Sequence, residues 1–582
     1  MRILLIAVNA KYIHSNLAVH SLASYAAKKM KYDRTCFEIP EIEIAEYTIN
    51  QPMGKILSDI YRREPDLILL SCYIWNKREI EELTFDIRKI MPLKHLWIGG
   101  PEVSFDAENV LDSMPAVKGV ICGEGEETFY RLAKVYGRET ECDKLDKDLA
   151  DLEGIVFRND EGEIISCEGK APINLSDVPF PYENLSDFSN RIIYYESSRG
   201  CPFRCSYCLS SVEKSLRFRD LKLVKKELGH FLKNKVPQVK FIDRTFNCDH
   251  RHSTEIWDFL REHDNAITNF HFEIAGDILT DDELSLLESM RPGQIQLEIG
   301  VQSTNERTLD EINRPMDFKR LRQVIGRIKS SGNIHLHLDL IAGLPFEDYN
   351  SFAESFNDVF SLEPHQLQLG FLKMLKGSPI EKGVSKYGMK YTEYPPYEIL
   401  ETKWISYDEL IKLKTIEEMV EVYYNSGQFM NTLKFILQYT ESPFRLFEAL
   451  AMWYEEKRLE MLNFSRNQRY EKLLEFGYEY VPQENTDMLQ KAMIYDYYSR
   501  ENVKTRPAFL GKDSVEKDFS KVFYSRESRE HRYLSGGRYD TDDPRLLRKL
   551  THLEKIDDRY YLFDYTKRNP MNNNAKITEI MK

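Results

Sequence analysis

Short, uninterrupted apolar runs, each followed by a stretch with helical spacing, recur along the first two-thirds of this chain. Residues 3–8 precede a helical pattern at 17–27, and residues 67–70 precede a charged helical segment at 77–90. Residues 95–98 run into Gly99-Gly100, and a further run follows at 119–121. A strand that is apolar on both sides must be covered on both sides, which strand–helix–strand connections achieve. The N-terminal region therefore reads as a doubly wound, Rossmann-like α/β domain, whose ligands sit where strands end and loops begin. A second series at 192–195, 239–242, 269–274, 294–299, 334–341 and 366–372 gives six strand–helix units. Six fall short of the eight that close a barrel, so a partial (β/α)6 barrel is expected.

These runs exceed what one core can hold, and 582 residues predict three or four domains. The expected division is a Rossmann-like domain at 1–138, a hairpin and linker at 139–190, the partial barrel at 191–380 and a mostly helical region at 381–582. The hydrophobic share of 42% and charged share of 30% exclude disorder as the main state. Against 94 Asp and Glu stand only 80 Lys and Arg, a net charge of −14 that argues against a non-specific nucleic-acid wrapper. No apolar run approaches the roughly 20 residues of a membrane span. The opening run passes into Lys11-Tyr12-Ile13-His14 without a cleavage pattern, so it reads as a buried strand and the expected location is the cytoplasm.

Nine cysteines are too few for a disulfide scaffold, yet Cys201, Cys205 and Cys208 crowd into eight residues directly after the first strand of the second series. Three thiolates on one tight loop can converge on a soft metal centre, and Gly200 permits the sharp exit from the strand. Structural zinc wants four ligands, and the next histidine is distant His230. A cubane iron–sulfur cluster held by three thiolates keeps one iron open. An incomplete zinc site and unrelated thiols are the alternatives.

Cys-x3-Cys-x2-Cys with the aromatic Tyr207 before the third cysteine resembles the signature of the radical S-adenosylmethionine (SAM) enzymes. The resemblance implies a [4Fe-4S] cluster on Cys201, Cys205 and Cys208 whose open iron is chelated by SAM. It also implies reductive cleavage of SAM to a 5′-deoxyadenosyl radical, fed by a reductant such as flavodoxin or ferredoxin. The likeness continues in order along the barrel. Phe241-Ile242-Asp243-Arg244-Thr245 looks like the strand-two motif that holds the methionyl amine. Glu298-Ile299-Gly300-Val301-Gln302-Ser303 resembles the strand-four motif that meets ribose or carboxylate. Asp339 through Leu344-Pro345 resembles the strand-five motif near adenine, and Leu372 through Ser378 the end of strand six. Tyr207, Asp243, Thr245, Glu298, Gln302, Ser303 and Leu344 are thus the implied SAM-binding set. Arg217 and Arg219 could pair with the SAM carboxylate or begin a solvated helix. Glu273 and Asp277 could serve as pocket carboxylates or helix caps.

The N-terminal loops are similar to those of the cobalamin-binding domain that precedes the barrel in one radical SAM subgroup. On that resemblance His14, Ser71, Gly99, Gly100, Glu102, Gly123 and Gly125 are candidate cobalamin contacts. The Asp-x-His-x-x-Gly cobalt-ligand motif is absent after strand one, and His14 reads either as a cobalt ligand or as a loop residue ahead of a Ser15-led helix. The implied activity is methyl transfer to an unactivated carbon, with ring formation or rearrangement next. A methylthiotransferase would need a second cluster on cysteines such as Cys36, Cys72 and Cys122, which also read as small apolar side chains. A non-catalytic cobalamin or redox sensor is the competing class. Residues 381–582 carry no chemical motif, and basic stretches at 526–532 and 545–549 read as solvated faces, with a clamp over the barrel mouth or a binding patch for a phosphate-bearing or RNA substrate as the functional alternative.

Overall fold

Every side chain from Ile3 to Val8 is fully buried, which puts strand β1 (Arg2–Asn9) in the middle of a sheet covered on both faces. The structure, a computed structural model, describes residues 1–33, 39–138, 142–169, 173–212, 215–512 and 515–581. The chain divides into two compact units: Met1–Leu297, Leu309–Val324 and Phe371–Lys403 form the first, and Glu298–Thr308, Ile325–Gly370 and Trp404–Lys582 the second.

In the first unit, β1 lies between β2 (Glu41–Thr48) and β3 (Leu67–Ser71), and the sheet continues through β4 (His95–Gly99) and β5 (Gly119–Ile121). These five strands are parallel. Alternate residues of β1 feed separate cores: Leu4, Ile6 and Val8 join one, and Ile3, Leu5 and Ala7 the other. This two-sided burial is what the continuous apolar runs anticipated. The order 2-1-3 reverses direction at β1, so the loops after β1 and β3 flank a crevice at the carboxyl ends. The expected hairpin forms as β6 (Ile155–Arg158) and β7 (Ile164–Cys167), and it extends this sheet antiparallel to β5. Strand β2 had no sequence signal of its own, because its charged residues sit at the sheet edge. Cys36, one of the cysteines considered for a second cluster, lies outside the described residues.

The second strand series starts in the same unit. Ile193–Tyr195, Gln238–Phe241 and Asn269–Ile274 are parallel neighbours, and Ile295–Gln302 comes next in order. That last strand runs on covalently into the second unit, where it is followed by His335–Ala342 and Gln366–Phe371. Its residues alternate strictly: Ile295, Leu297, Ile299 and Val301 are buried, and Gln296, Glu298, Gly300 and Gln302 half-buried. Apolar side chains thus face the helices, and the polar set faces the other way. The count of six strand–helix units matches the partial-barrel expectation. The remainder of the second unit is mainly helical, as anticipated, with long helices such as Pro443–Glu456, Arg466–Tyr480 and Thr486–Arg500. It ends in a three-stranded antiparallel sheet, Thr551–Ile556, Arg559–Arg568 and Ala575–Ile580, which the polar composition had hidden.

Candidate active site

The cluster loop leaves the strand Ile193–Tyr195 and is closed at its base by a short antiparallel ribbon, Ser198–Arg199 against Arg217–Phe218. Gly200 sits at φ +98, where a β-carbon would lie 2.3 Å from the Ser215 carbonyl oxygen. Only glycine permits that turn. Beyond it Cys205 is buried, and Cys201 and Cys208 are half-buried. The Cys208 N–H donates to the Cys205 carbonyl at 3.1 Å. Ser206 ties the loop down, its N–H donating to Ile312 and its carbonyl accepting from Ile380, both at 2.8 Å. Arg314, which no motif marked, donates to the Cys205 sulfur at 3.6 Å. Three cysteine sulfurs on one loop form a donor set that suits an iron–sulfur centre. Burial pushes the Cys201 thiol and the Tyr207 phenol up, and Arg314 opposes this at Tyr207. Cys248 is also near: burial and then the Cys201 charge push its thiol up to about 12.

Asp243 lies beneath this loop rather than open to a ligand. One carboxylate oxygen accepts from Ser197 Oγ at 2.7 Å and Ser198 Oγ at 2.5 Å, and the other from the Ser197 N–H at 3.0 Å. His252 Nε2 reaches Ser197 Oγ at 3.0 Å. Burial raises Asp243 to about 6 against the pull of its serine donors, and lowers His252 to about 4. The network therefore fixes the two residues that lead into Arg199-Gly200-Cys201. Thr245 Oγ1 is 3.5 Å from Cys201 Sγ.

In the second unit, Gln302 occupies the left-handed region at φ 71, and its Oε1 is buried with no hydrogen-bond partner among the described residues. A buried acceptor without a donor is an incomplete site that a ligand N–H or O–H would finish. Ser303 is instead committed, donating to buried Glu347 at 2.6 Å, and burial pushes Glu347 up to about 7. Glu298 faces His337 and Asp339, their ligand atoms all within 4.8 Å, with His337 Nε2 3.0 Å from Asp339 Oδ1. Leu344 is fully buried.

The N-terminal loops divide in the same way. His14 Nδ1 is 2.6 Å from the Tyr194 hydroxyl, and the Ile192 N–H donates to Ile13 at 2.8 Å, so this loop is fastened to the first strand of the second series. Burial and Lys11 lower the His14 pKa. Ser71 Oγ accepts from Asn16 at 3.3 Å. At Gly100 (φ +117) a β-carbon would lie 2.4 Å from the Cys72 carbonyl oxygen, which gives this glycine a backbone reason to be there. A β-carbon at Gly99 would touch Ile121 at 3.4 Å. Glu102 is buried, accepting from Tyr397 and pairing with Lys77 at 3.5 Å. Gly123 (φ +69) faces open space, while Gly125 packs against Leu22. Aromatic rings outside that candidate set stand in the loops after β1 and β3: Tyr73 and Trp75 stack at 4.4 Å, and Trp75 and Tyr12 are 42% and 63% exposed. Exposed rings beside small residues suit a broad, flat macrocycle.

The two arginines after the cluster loop are ion-paired. Arg217 is held by Glu124 and the Ile173 carbonyl, and Arg219 by Glu227 at 2.5 Å. Glu273 lies 3.7 Å from Lys240, and Asp277 accepts from the Asp317 N–H at 3.0 Å. Cys72 is buried in the apolar core and Cys122 packs against it, with burial pushing Cys122 up to about 11.

Three thiols thus stand on the loop after the strand Ile193–Tyr195, behind a doubly wound N-terminal sheet. Residues 195–359 match the radical SAM superfamily and residues 3–133 the B12 binding domain. Residues 385–579 match a protein of unknown function, DUF4080. The chain therefore carries a B12 binding domain followed by a radical SAM domain. The radical SAM domain brings with it a [4Fe-4S] cluster and SAM, and the B12 binding domain cobalamin. Among curated proteins, the cobalamin-dependent radical SAM methyltransferase TokK of Streptomyces tokunonensis is 24% identical over 56% of this chain and 50% of its own length. The anaerobic magnesium-protoporphyrin IX monomethyl ester cyclase of Cereibacter sphaeroides is 22% identical over 55% and 53%. The chain spans about half the length of the curated relatives it matches. The cobalamin-dependent SAM radical enzyme OxsB, solved with aqua-cobalamin, shares the fold at a TM-score of 0.58 and 16% identity, over 87% of this chain and 82% of that one. Among the described residues no helix is long and apolar enough to cross a membrane.

Proposed function

We propose that this protein is a radical SAM enzyme that cleaves SAM reductively on a cluster held by Cys201, Cys205 and Cys208, and transfers a methyl group to an unactivated carbon. The observation that carries the reading is the cluster loop itself, with three thiols on one glycine-started turn and a guanidinium at the Cys205 sulfur. When bound, the cluster supplies an electron to SAM and cobalamin supplies a transferable methyl group. Gln302 Oε1, left without a donor, is the acceptor best suited to a SAM hydroxyl or amine, with Glu298 on the same strand face. In the first unit Tyr207 and Thr245 are the SAM candidates and Asp243 holds the cluster loop; in the second unit Ser303 and Leu344 are the candidates beside Gln302. Tyr12, Tyr73 and Trp75, with Ser71, Gly99, Gly100, Gly123 and Gly125, line the cobalamin side, while the His14 bond to Tyr194 favours a structural role for that histidine. The division at residues 138, 190 and 380 is the working domain scheme, and a flavodoxin- or ferredoxin-type donor supplies the electron.

The test is anaerobic reconstitution with iron and sulfide, then SAM and a low-potential reductant. Formation of 5′-deoxyadenosine or S-adenosylhomocysteine is expected, and loss of both in a folded Cys205→Ala variant. A reconstituted protein that yields neither product with any reductant refutes the reading. Likeness to the cyclase keeps ring formation as the second reaction type; methylated against cyclised product separates the two by mass.

A further inference from the structure

The cluster loop is gripped at both ends by carboxylates from the cobalamin-side sheet. Glu124 stands in the loop after β5, and Glu126 opens the helix that follows it. Arg199 precedes Gly200-Cys201, and Arg217 is its partner across the ribbon that closes the loop. Arg199 meets Glu126 at 2.8 Å and Glu124 at 3.3 Å, and Arg217 forks onto Glu124. Glu196 adds a third carboxylate at 2.7 Å from Arg199. All four bridging side chains are at least four-fifths buried, so screening by solvent is weak. Bidentate guanidinium–carboxylate pairs fix angle as well as distance. The same loop begins at Gly123, whose open φ +69 face is a candidate cobalamin contact. A displacement of residues 123–127 must therefore be passed to both feet of the cysteine loop.

We propose that Glu124 and Glu126 are positioning residues that couple cobalamin occupancy to the geometry of the iron–sulfur loop through Arg199 and Arg217. The proposal rests on the cofactor reading above. Coupling of this kind is reciprocal: whatever cobalamin does to the cluster, the cluster does to cobalamin affinity by the same factor.

The experiment titrates hydroxocobalamin into cluster-loaded and cluster-free protein, read by absorbance, for the wild type, Glu124→Gln and Glu126→Gln. The expected wild-type affinities differ at least fivefold between the two states, and the ratio falls to within twofold of one in the variants. The electron paramagnetic resonance signal of the reduced cluster should likewise change on adding cobalamin in the wild type alone. Should Glu124→Gln fail to fold, Arg217→Lys decides, since it keeps the charge but loses the fork. A wild-type ratio of one, or an equal ratio in every folded variant, overturns the coupling while the cofactor reading stands. No bound hydroxocobalamin in either state overturns both.

Discussion

Replacing Gly200 by alanine should open the cluster loop at its base. The new methyl carbon would stand 2.3 Å from the Ser215 oxygen, 3.0 Å from the Ser215 carbonyl carbon and 3.2 Å from the Leu216 α-carbon. A carbon–oxygen contact needs about 3.3 Å, so backbone on one side must retreat by about 1 Å. All three of these neighbours are main chain, so no side chain can rotate aside. An alanine at φ +98 adds about 1–3 kcal/mol of backbone strain, and overpacking against fixed atoms costs about as much. A total near 4 kcal/mol reduces the closed ribbon about a thousandfold. Because the ribbon sets Cys201 apart from the residues after Cys208, iron and sulfide per chain after anaerobic reconstitution should drop at least tenfold at limiting iron. Far-ultraviolet circular dichroism should change little, since Gly200 is outside the N-terminal sheet. Gly332→Ala is the control: its φ of +64 is equally unusual, but no atom lies within 4 Å of the added methyl. It should cost about 1 kcal/mol and leave iron loading intact. Full iron loading in Gly200→Ala, at wild-type stability, would refute the argument that this close approach shapes the cluster site.

Cys248→Ala should retain its iron, in contrast to Cys205→Ala; equal loss in the two variants would mean four protein ligands and no open iron. Asp243, raised to about 6 in the folded protein against about 3.9 unfolded, binds its proton more tightly when folded. Its contribution is complete below pH 4 and is lost as pH rises through 6, about 3 kcal/mol in all. Urea unfolding from pH 4 to 7 should therefore lose that much more stability in the wild type than in Asp243→Asn, and parallel curves would contradict the assignment. Glu102→Gln should lower stability by about 1–3 kcal/mol through its Lys77 and Tyr397 contacts, with hydroxocobalamin affinity unchanged within twofold. A tenfold weaker affinity would return Glu102 to the cobalamin surface.

Chemistry that depends on neighbours in sequence was legible from the chain alone. Cys201, Cys205 and Cys208 share one turn, so their spacing already states their convergence, and Gly200 announces the sharp exit. Two-sided burial leaves an unbroken apolar run, so β1, β3, β4 and β5 and the six later strands stood out by pattern. What the tertiary structure decided were the partners. Whether Asp243 meets a ligand or Ser197 and Ser198 depends on two strands lying side by side, 46 residues apart in sequence. Glu102, Arg217 and Arg219 looked available because charge is visible in a sequence while the opposing charge, 25, 93 or 8 residues away, is not assigned to it. Arg314 carried no motif at all, and only the fold brings it to the Cys205 sulfur. Local periodicity thus specifies which segments are buried, because burial is a property of one strand or helix face. The identity of each buried charge's partner is a property of two segments at once, and it exists only after they have packed.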